Sequence, residues 1–166
     1  MPSASKSKGN RGERVVADKL SEIFKLNFER VPNSGAFVGG KNSSRLARLS
    51  KSQQLLTEGD LIVPEELHHM KIECKTYKDF SWKSLFTSNK QLDDWIDQAR
   101  DTRKLWFLTF KINYCETCVV FSHEHLEYFE LPDSIHIYKR EFIICNFETF
   151  FKKNAERVLQ LGSEWL

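Results

Sequence analysis

The chain has 166 residues, with 25 Lys and Arg against 23 Asp and Glu, a net charge of +2. Overall basic character therefore cannot argue for nucleic acid. Hydrophobic residues at 40% and charged residues at 29% describe an ordinary globular domain, long enough for one core but not two. No apolar run approaches the roughly 18 residues of a membrane span, and the polar N-terminus lacks a signal peptide's apolar stretch; the expectation is no membrane contact and a cytoplasmic protein with reduced thiols.

Residues 1–8 are Ser- and Lys-rich and read as a disordered basic tail ahead of one domain over 9–166. From Asn10, the spacing of Val15, Val16, Leu20, Ile23 and Phe24 predicts a helix with Glu13 in its first turn, where an acid suits the helix dipole. Lys6, Lys8 and Arg11 precede Glu13 without an intervening acid. Arg30-Val31-Pro32-Asn33-Ser34-Gly35-Ala36 predicts a strand entering a turn, which Pro32, Asn33 and Gly35 favour. Ser34 ahead of a glycine also offers a hydroxyl and backbone N–H groups to an anion.

Residues 39–57 predict a long loop or an ill-formed helix opened by Gly39-Gly40. Lys41, Arg45, Arg48 and Lys51 lie in a stretch free of acids, and Arg45, Arg48 and Lys51 would share a helix face. Loops of this length are uncommon in compact domains unless functional or disordered; an arm that orders on DNA and a solvated loop are the two readings. The acids Glu124, Glu127, Glu130 and Asp133 cluster elsewhere, so one side of the molecule suits phosphate and another faces away.

The chain is organised around Gly59-Asp60-Leu61-Ile62-Val63 and Lys71-Ile72-Glu73-Cys74-Lys75, two short apolar strands joined through Pro64. Alternation puts Glu73 and Lys75 on one face and Ile72 and Cys74 in the core. Pairing as a hairpin would bring Asp60 to the polar face, giving two carboxylates and an ammonium at a sheet edge. Such a set suits a divalent cation and the water it activates, although charged and apolar residues alternate in many half-exposed strands.

A helix of about 18 residues is expected next, with Leu85, Leu92, Trp95, Ile96 and Ala99 as its core stripe. Gln91 and Gln98 share a face of it. Leu105–Ile112 reads as a buried central strand, and Cys118–Phe121 as a strand leading to a short helix capped by Ser122. Ile135–Tyr138 and Glu141–Cys145 predict a hairpin about Lys139-Arg140, and Asn146 caps a final helix bearing Phe147, Phe150, Phe151, Val158 and Leu159. Cys115-x-x-Cys118 with His123 and His125 has zinc-ligand types, but the two histidines diverge on a helix, so buried thiols in a reducing compartment are the simpler reading. His68 and His69 read as turn residues.

Asp60, a spacer and Glu73-x-Lys75 resemble the PD-(D/E)xK nuclease superfamily. Gly12-Glu13 followed by Arg30-x-Pro-x-Ser34-Gly-Ala is most similar to the archaeal-type Holliday-junction resolvases, some of which viruses carry. The resemblance covers residues 9–112 and departs from the pattern in lacking a proline before Asp60; residues 113–166 have no counterpart in it. It implies an α/β fold with a restriction-endonuclease-like αβββαβ core, a mixed central sheet flanked by helices, and a C-terminal elaboration of hairpin and helix. It also implies a structure-specific endodeoxyribonuclease of DNA recombination and repair, active on branched double-stranded DNA as a homodimer, in the host cytoplasm if the gene is viral.

On that resemblance, Glu13, Asp60, Glu73 and the Cys74 carbonyl would hold Mg2+, for which Mn2+ would substitute, and Lys75 would orient or deprotonate the attacking water. Ser34 would lie near the scissile phosphate, and Gln98 would be a secondary polar contributor. Lys6, Lys8, Arg11, Arg30, Lys41, Arg45, Arg48 and Lys51 would hold the DNA backbone, so affinity should fall steeply with salt. Cleavage of linear, flap or foreign DNA is an alternative that uses the same residues, and a non-catalytic binding module is a second. The final aromatic helix is one candidate dimer face, unless its stripe is core.

Overall fold

The computed structural model describes residues 4–32 and 58–165. Ser34, Lys41, Arg45, Arg48 and Lys51, and the expected arm over 39–57, lie outside the described residues.

Helix α1 spans Ala4–Phe24, so residues 4–8, expected as tail, belong to it. Val16, Ala17, Leu20 and Phe24 are buried along one stripe, while Val15, expected among them, is exposed. Because the helix starts at Ala4, Glu13 lies in its interior and no acid occupies its first turn. The dipole reading of Glu13 therefore fails.

Two short strands follow, β1 (Glu29–Arg30) and β2 (Leu61–Ile62), paired antiparallel with Arg30 opposite Leu61. A five-stranded mixed sheet is built from β3 (Met70–Tyr77), β4 (Leu105–Ile112), β5 (Cys118–Ser122), β6 (Ile135–Tyr138) and β7 (Phe142–Asn146), in the order β3-β4-β5-β7-β6. Strands β3 and β4 run parallel and the other pairs antiparallel. The parallel pair needs a crossover, which carries α2 (Lys90–Ala99) across one face. Helix α1 and the C-terminal α3 (Phe147–Glu164) cover the other. The result is the expected α/β architecture, a mixed central sheet between helices.

Alternation sorts the core into two layers. Met70, Ile72, Leu105 and Phe107 pack with α1 and α3, whereas Trp106, Leu108 and Phe110 pack with Leu92, Trp95 and Ile96 of α2. Strand β4 is buried at all but one position, as a central strand must be. Phe147, Phe150 and Phe151 are wholly buried, so the aromatic stripe of the last helix is core and not a dimer face.

Two expected elements differ. The 18-residue helix is divided into a 3-10 turn at Trp82–Phe86 and the ten-residue α2. Asn89 separates them: its side chain accepts from the Leu92 N–H at 2.9 Å and caps α2, while its amide donates to Ser84 Oγ. The stripe from Leu85 to Ala99 is nonetheless all buried. The hairpin of Asp60 with Glu73 is not a ladder, since β2 pairs with β1. One backbone bond, Asp60 N–H to the Ile72 carbonyl at 2.9 Å, ties this segment to β3. The C-terminal hairpin forms as expected, turning through Lys139 and Arg140, both at positive φ.

Candidate active site

Strand β3 is the edge of the five-stranded sheet, and its alternation decides what the edge presents. Met70, Ile72 and Cys74 point into the core, leaving Lys71, Glu73 and Lys75 half-buried on the α2 side. The backbone of the even-numbered residues faces the open edge, where Ile72 O accepts from Asp60 and Cys74 N–H donates to Asp60 Oδ2 at 2.7 Å. A residue's N–H and C=O leave a strand on the same side, so the Cys74 carbonyl points to this edge too.

Gly59 makes the close approach possible. It sits at φ 79°, and a Cβ there would stand 2.6 Å from the Ile72 carbonyl oxygen, so only glycine allows Asp60 to press against β3. The carboxylate takes the place of a strand partner, which explains why the expected ladder shrinks to one bond. Gly12 plays a similar part on α1, where a Cβ would collide with Thr76 Oγ1 and hold the helix away from the end of β3.

Lys75 is the hub. Its Nζ donates to Glu73 Oε1 and to Gln98 Oε1, each at 2.7 Å, so α2 supplies a polar side chain to the site. Glu73 and Lys75 are only 12% and 17% exposed. Burial, then the Asp60 charge, pushes the Glu73 carboxyl up to about 7 against the opposing pull of Lys75. For Lys75, burial favours the neutral amine, but the charge and hydrogen bond of Glu73, with Asp60 behind, outweigh it and raise its pKa. With carboxylates as its neighbours, the Lys75 ammonium is the favoured form.

Glu13 is ion-paired and hydrogen-bonded to Arg30 Nε, and Arg30 also donates to Asn10 Oδ1 at 2.7 Å. Arg30, expected on the DNA backbone, is thereby engaged within the protein, at the strand that pairs with Asp60's own. Asn10 had no sequence signal; only the docking of α1 on β1 reveals it. Among the described residues, no three His, Cys, Asp or Glu side chains come together as a metal-ligand group. This holds for Cys115, Cys118, His123 and His125 also. Cys118 opens β5, and burial pushes its thiol up to about 11. His69 is a buried core residue, its Nε2 3.0 Å from the Val158 carbonyl of α3.

A cleft of about 990 Å3 opens between α1, the β4–β5 turn and the start of α3, lined by Lys8, Arg11, Lys19, Lys111 and Lys152 among others. Lys19 and Lys152 share Glu148, and Lys8 donates to Asn113 Oδ1. Lys8 and Arg11 were expected on DNA. Lys19 and Lys111 were not, since each stands alone in sequence and joins the group only through the fold. The cleft lies at the same end of the sheet as Lys75, because parallel pairing sets Tyr77 opposite Ile112. The acidic residues from Glu124 onward follow the far end of β5. Among the described residues, no helix is long and apolar enough to cross a membrane.

A family model described as "Phage putative PDDEXK endonuclease" matches residues 4–162. Protein D14 of Escherichia phage T5 is 35% identical over 100 residues, a match spanning 57% of this chain and 54% of that protein. No solved structure matches. The family match runs from the first helix almost to the end of α3, and so includes the C-terminal third for which the resolvase resemblance had no counterpart. With Asp60, Glu73 and Lys75 meeting at the edge of β3, the chain belongs to this phage family of the PD-(D/E)xK superfamily.

Proposed function

We propose that the protein is a metal-dependent, structure-specific DNA endonuclease that cuts Holliday junctions or other branched DNA in paired strands. The observation that carries this reading is the Lys75 ammonium, held between the Glu73 carboxylate and the Gln98 amide beside the edge where Asp60 meets β3. Binding alone needs no buried lysine fixed at both sides next to a second carboxylate.

The donor set fits a hard divalent cation, being oxygen throughout. Glu73 and Asp60 stand close enough that each charge disfavours the other, and Mg2+ or Mn2+ would offset that repulsion. Asp60, Glu73 and the Cys74 carbonyl would hold the ion, and Glu13 would join them by giving up Arg30. When bound, the ion polarises the phosphoryl oxygen and acidifies water. Lys75, fully protonated between Glu73 and Gln98, positions the attacking water and stabilises negative charge developing on the phosphate. The basic cleft takes the backbone by charge, without reading bases. A four-way junction requires two cuts, which favours a two-fold dimer.

The test is cleavage of a labelled four-way junction in Mg2+ or Mn2+, with flap and linear duplex alongside. Asp60→Asn preserves an acceptor for the Cys74 N–H while removing the charge, and should lower cleavage by at least about 10²-fold with DNA binding retained. Equal cutting of linear duplex would replace the resolvase reading with a general nuclease. Binding without metal-dependent cutting of any DNA would replace it with a non-catalytic module.

A further inference from the structure

Strand β3 does not end at Lys75. Two residues on, Tyr77 points to the same face as Glu73 and Lys75, and the residue is 43% exposed. The buried Trp95 of α2 holds that ring from below, with centroids 4.8 Å apart at 41°. Around it lies an open hollow of about 400 Å3, lined by Tyr77, Lys90, Gln91, Asp94, Trp95 and Gln98. Its size is at the lower end of sites that take small ligands, about 300–1,000 Å3. Gln98 is the residue that also fixes Lys75, so the hollow and the catalytic lysine share a wall.

The chemistry of this wall differs from that of the basic cleft. Lys90 and Asp94 pair with one another at 3.3 Å, leaving little net charge to draw a phosphate. What remains is an aromatic face and two amide side chains, Gln91 and Gln98. An aromatic plane with amide donors and acceptors at its rim is suited to a nucleobase, which stacks on one and hydrogen-bonds to the other. The cleft that suits phosphates lies on the α1 side of the same sheet end, and the hollow lies on the α2 side, with Glu73 and Lys75 between them.

We propose that the hollow beside Tyr77 receives one nucleobase from next to the scissile phosphate, taken out of its stack and laid on the Tyr77 ring. This rests on the reading of Lys75 as the catalytic lysine. Extrusion of a base costs a few kcal/mol in intact duplex and least where the base is already unpaired. The hollow therefore supplies a physical basis for preferring branch points, flaps and gaps over continuous duplex, with no contact that specifies sequence.

The test uses the wild-type protein in EDTA with a four-way junction carrying 5-iodouracil beside the cut position, a base that photocrosslinks to aromatic rings on which it stacks. Irradiation followed by peptide mass mapping should place the crosslink on Tyr77. A crosslink confined to other residues, or none despite tight binding, overturns the proposal while leaving the Lys75 reading intact; failure to bind any DNA overturns both. Cleavage gives the second readout. Tyr77→Ala should reduce the ratio of junction to duplex cutting by about tenfold, the scale of one lost stacking contact, and Tyr77→Phe should retain it. An unchanged ratio in Tyr77→Ala, with the variant folded by circular dichroism, also overturns the proposal.

Discussion

The two faces of β3 come from one eight-residue strand and obey opposite rules. Met70, Ile72 and Cys74 lie on the α1 and α3 side among aromatic and aliphatic neighbours, where burial stabilises and no partner is specific. Lys71, Glu73 and Lys75 lie on the other side, each held by named atoms: Lys71 by the carbonyls of Gln98 and Arg100, Lys75 by Glu73 and Gln98. The first face holds the fold together at no cost to itself. The second stores a carboxylate that resists ionisation because it is buried and, after that, because Asp60 is near, an arrangement that costs stability. Substitutions on the two faces should therefore move stability in opposite directions.

The largest stability effect is expected from the apolar face. Ile72 is fully buried, and Ile72→Ala should destabilise by about 3 kcal/mol in urea denaturation, while cleavage per folded molecule well below the transition stays near wild type. A large loss of cleavage in still-folded protein would mean that the faces are coupled. On the polar face the sign reverses. The Glu73 carboxyl, ordinarily near 4.5, is raised to about 7 in the folded chain. Between these values the folded state keeps a proton that the unfolded state releases, so stability falls as pH rises through that window and is flat above it. Glu73→Gln removes this slope. Without metal it should be more stable than wild type at pH 8, by up to about 3 kcal/mol, and similar near pH 4; denaturation in EDTA at the two pH values checks this. Equal pH profiles would show that Glu73 ionises freely. The smallest effect belongs to Gln98, which is exposed and touches Lys75 by one bond. Gln98→Ala should lower the cleavage rate about tenfold with unchanged melting temperature, the worth of one hydrogen bond to a charged group. A matching loss in Lys75→Ala and in the double variant would show that Gln98 acts through Lys75.

Legibility followed the range of the interaction. Alternation in Lys71–Lys75 placed Glu73 and Lys75 on one face, since strand geometry alone decides that. The helical stripe of α1, the buried β4, the hairpin through Lys139-Arg140 and the Asn146 cap were readable for the same reason, each being a pattern of neighbours in sequence. Gln98 was readable as a polar residue on the helix after the Glu-x-Lys strand, though not its bond to Lys75. The broken helix was missed because Asn89 gains its role from Ser84 and Tyr138, one of them 49 positions away.

Local periodicity and burial dictate the order of elements, the two-faced strand and the residue types that gather at its edge, so these are legible from the residues alone. Which groups meet depends instead on how distant segments pack, and the fold settles it. It closed Gly59 against the Ile72 carbonyl so that Asp60 binds the Cys74 N–H, and it paired Arg30 with Glu13. It also joined Lys8, Lys19 and Lys111 in one cleft and set Tyr77 on Trp95, two residues along the strand from Lys75. Charge and hydrogen bonding act through space over a few ångströms, and the packing of α1 and α2 on the two faces of β3 selects the residues that come within that range.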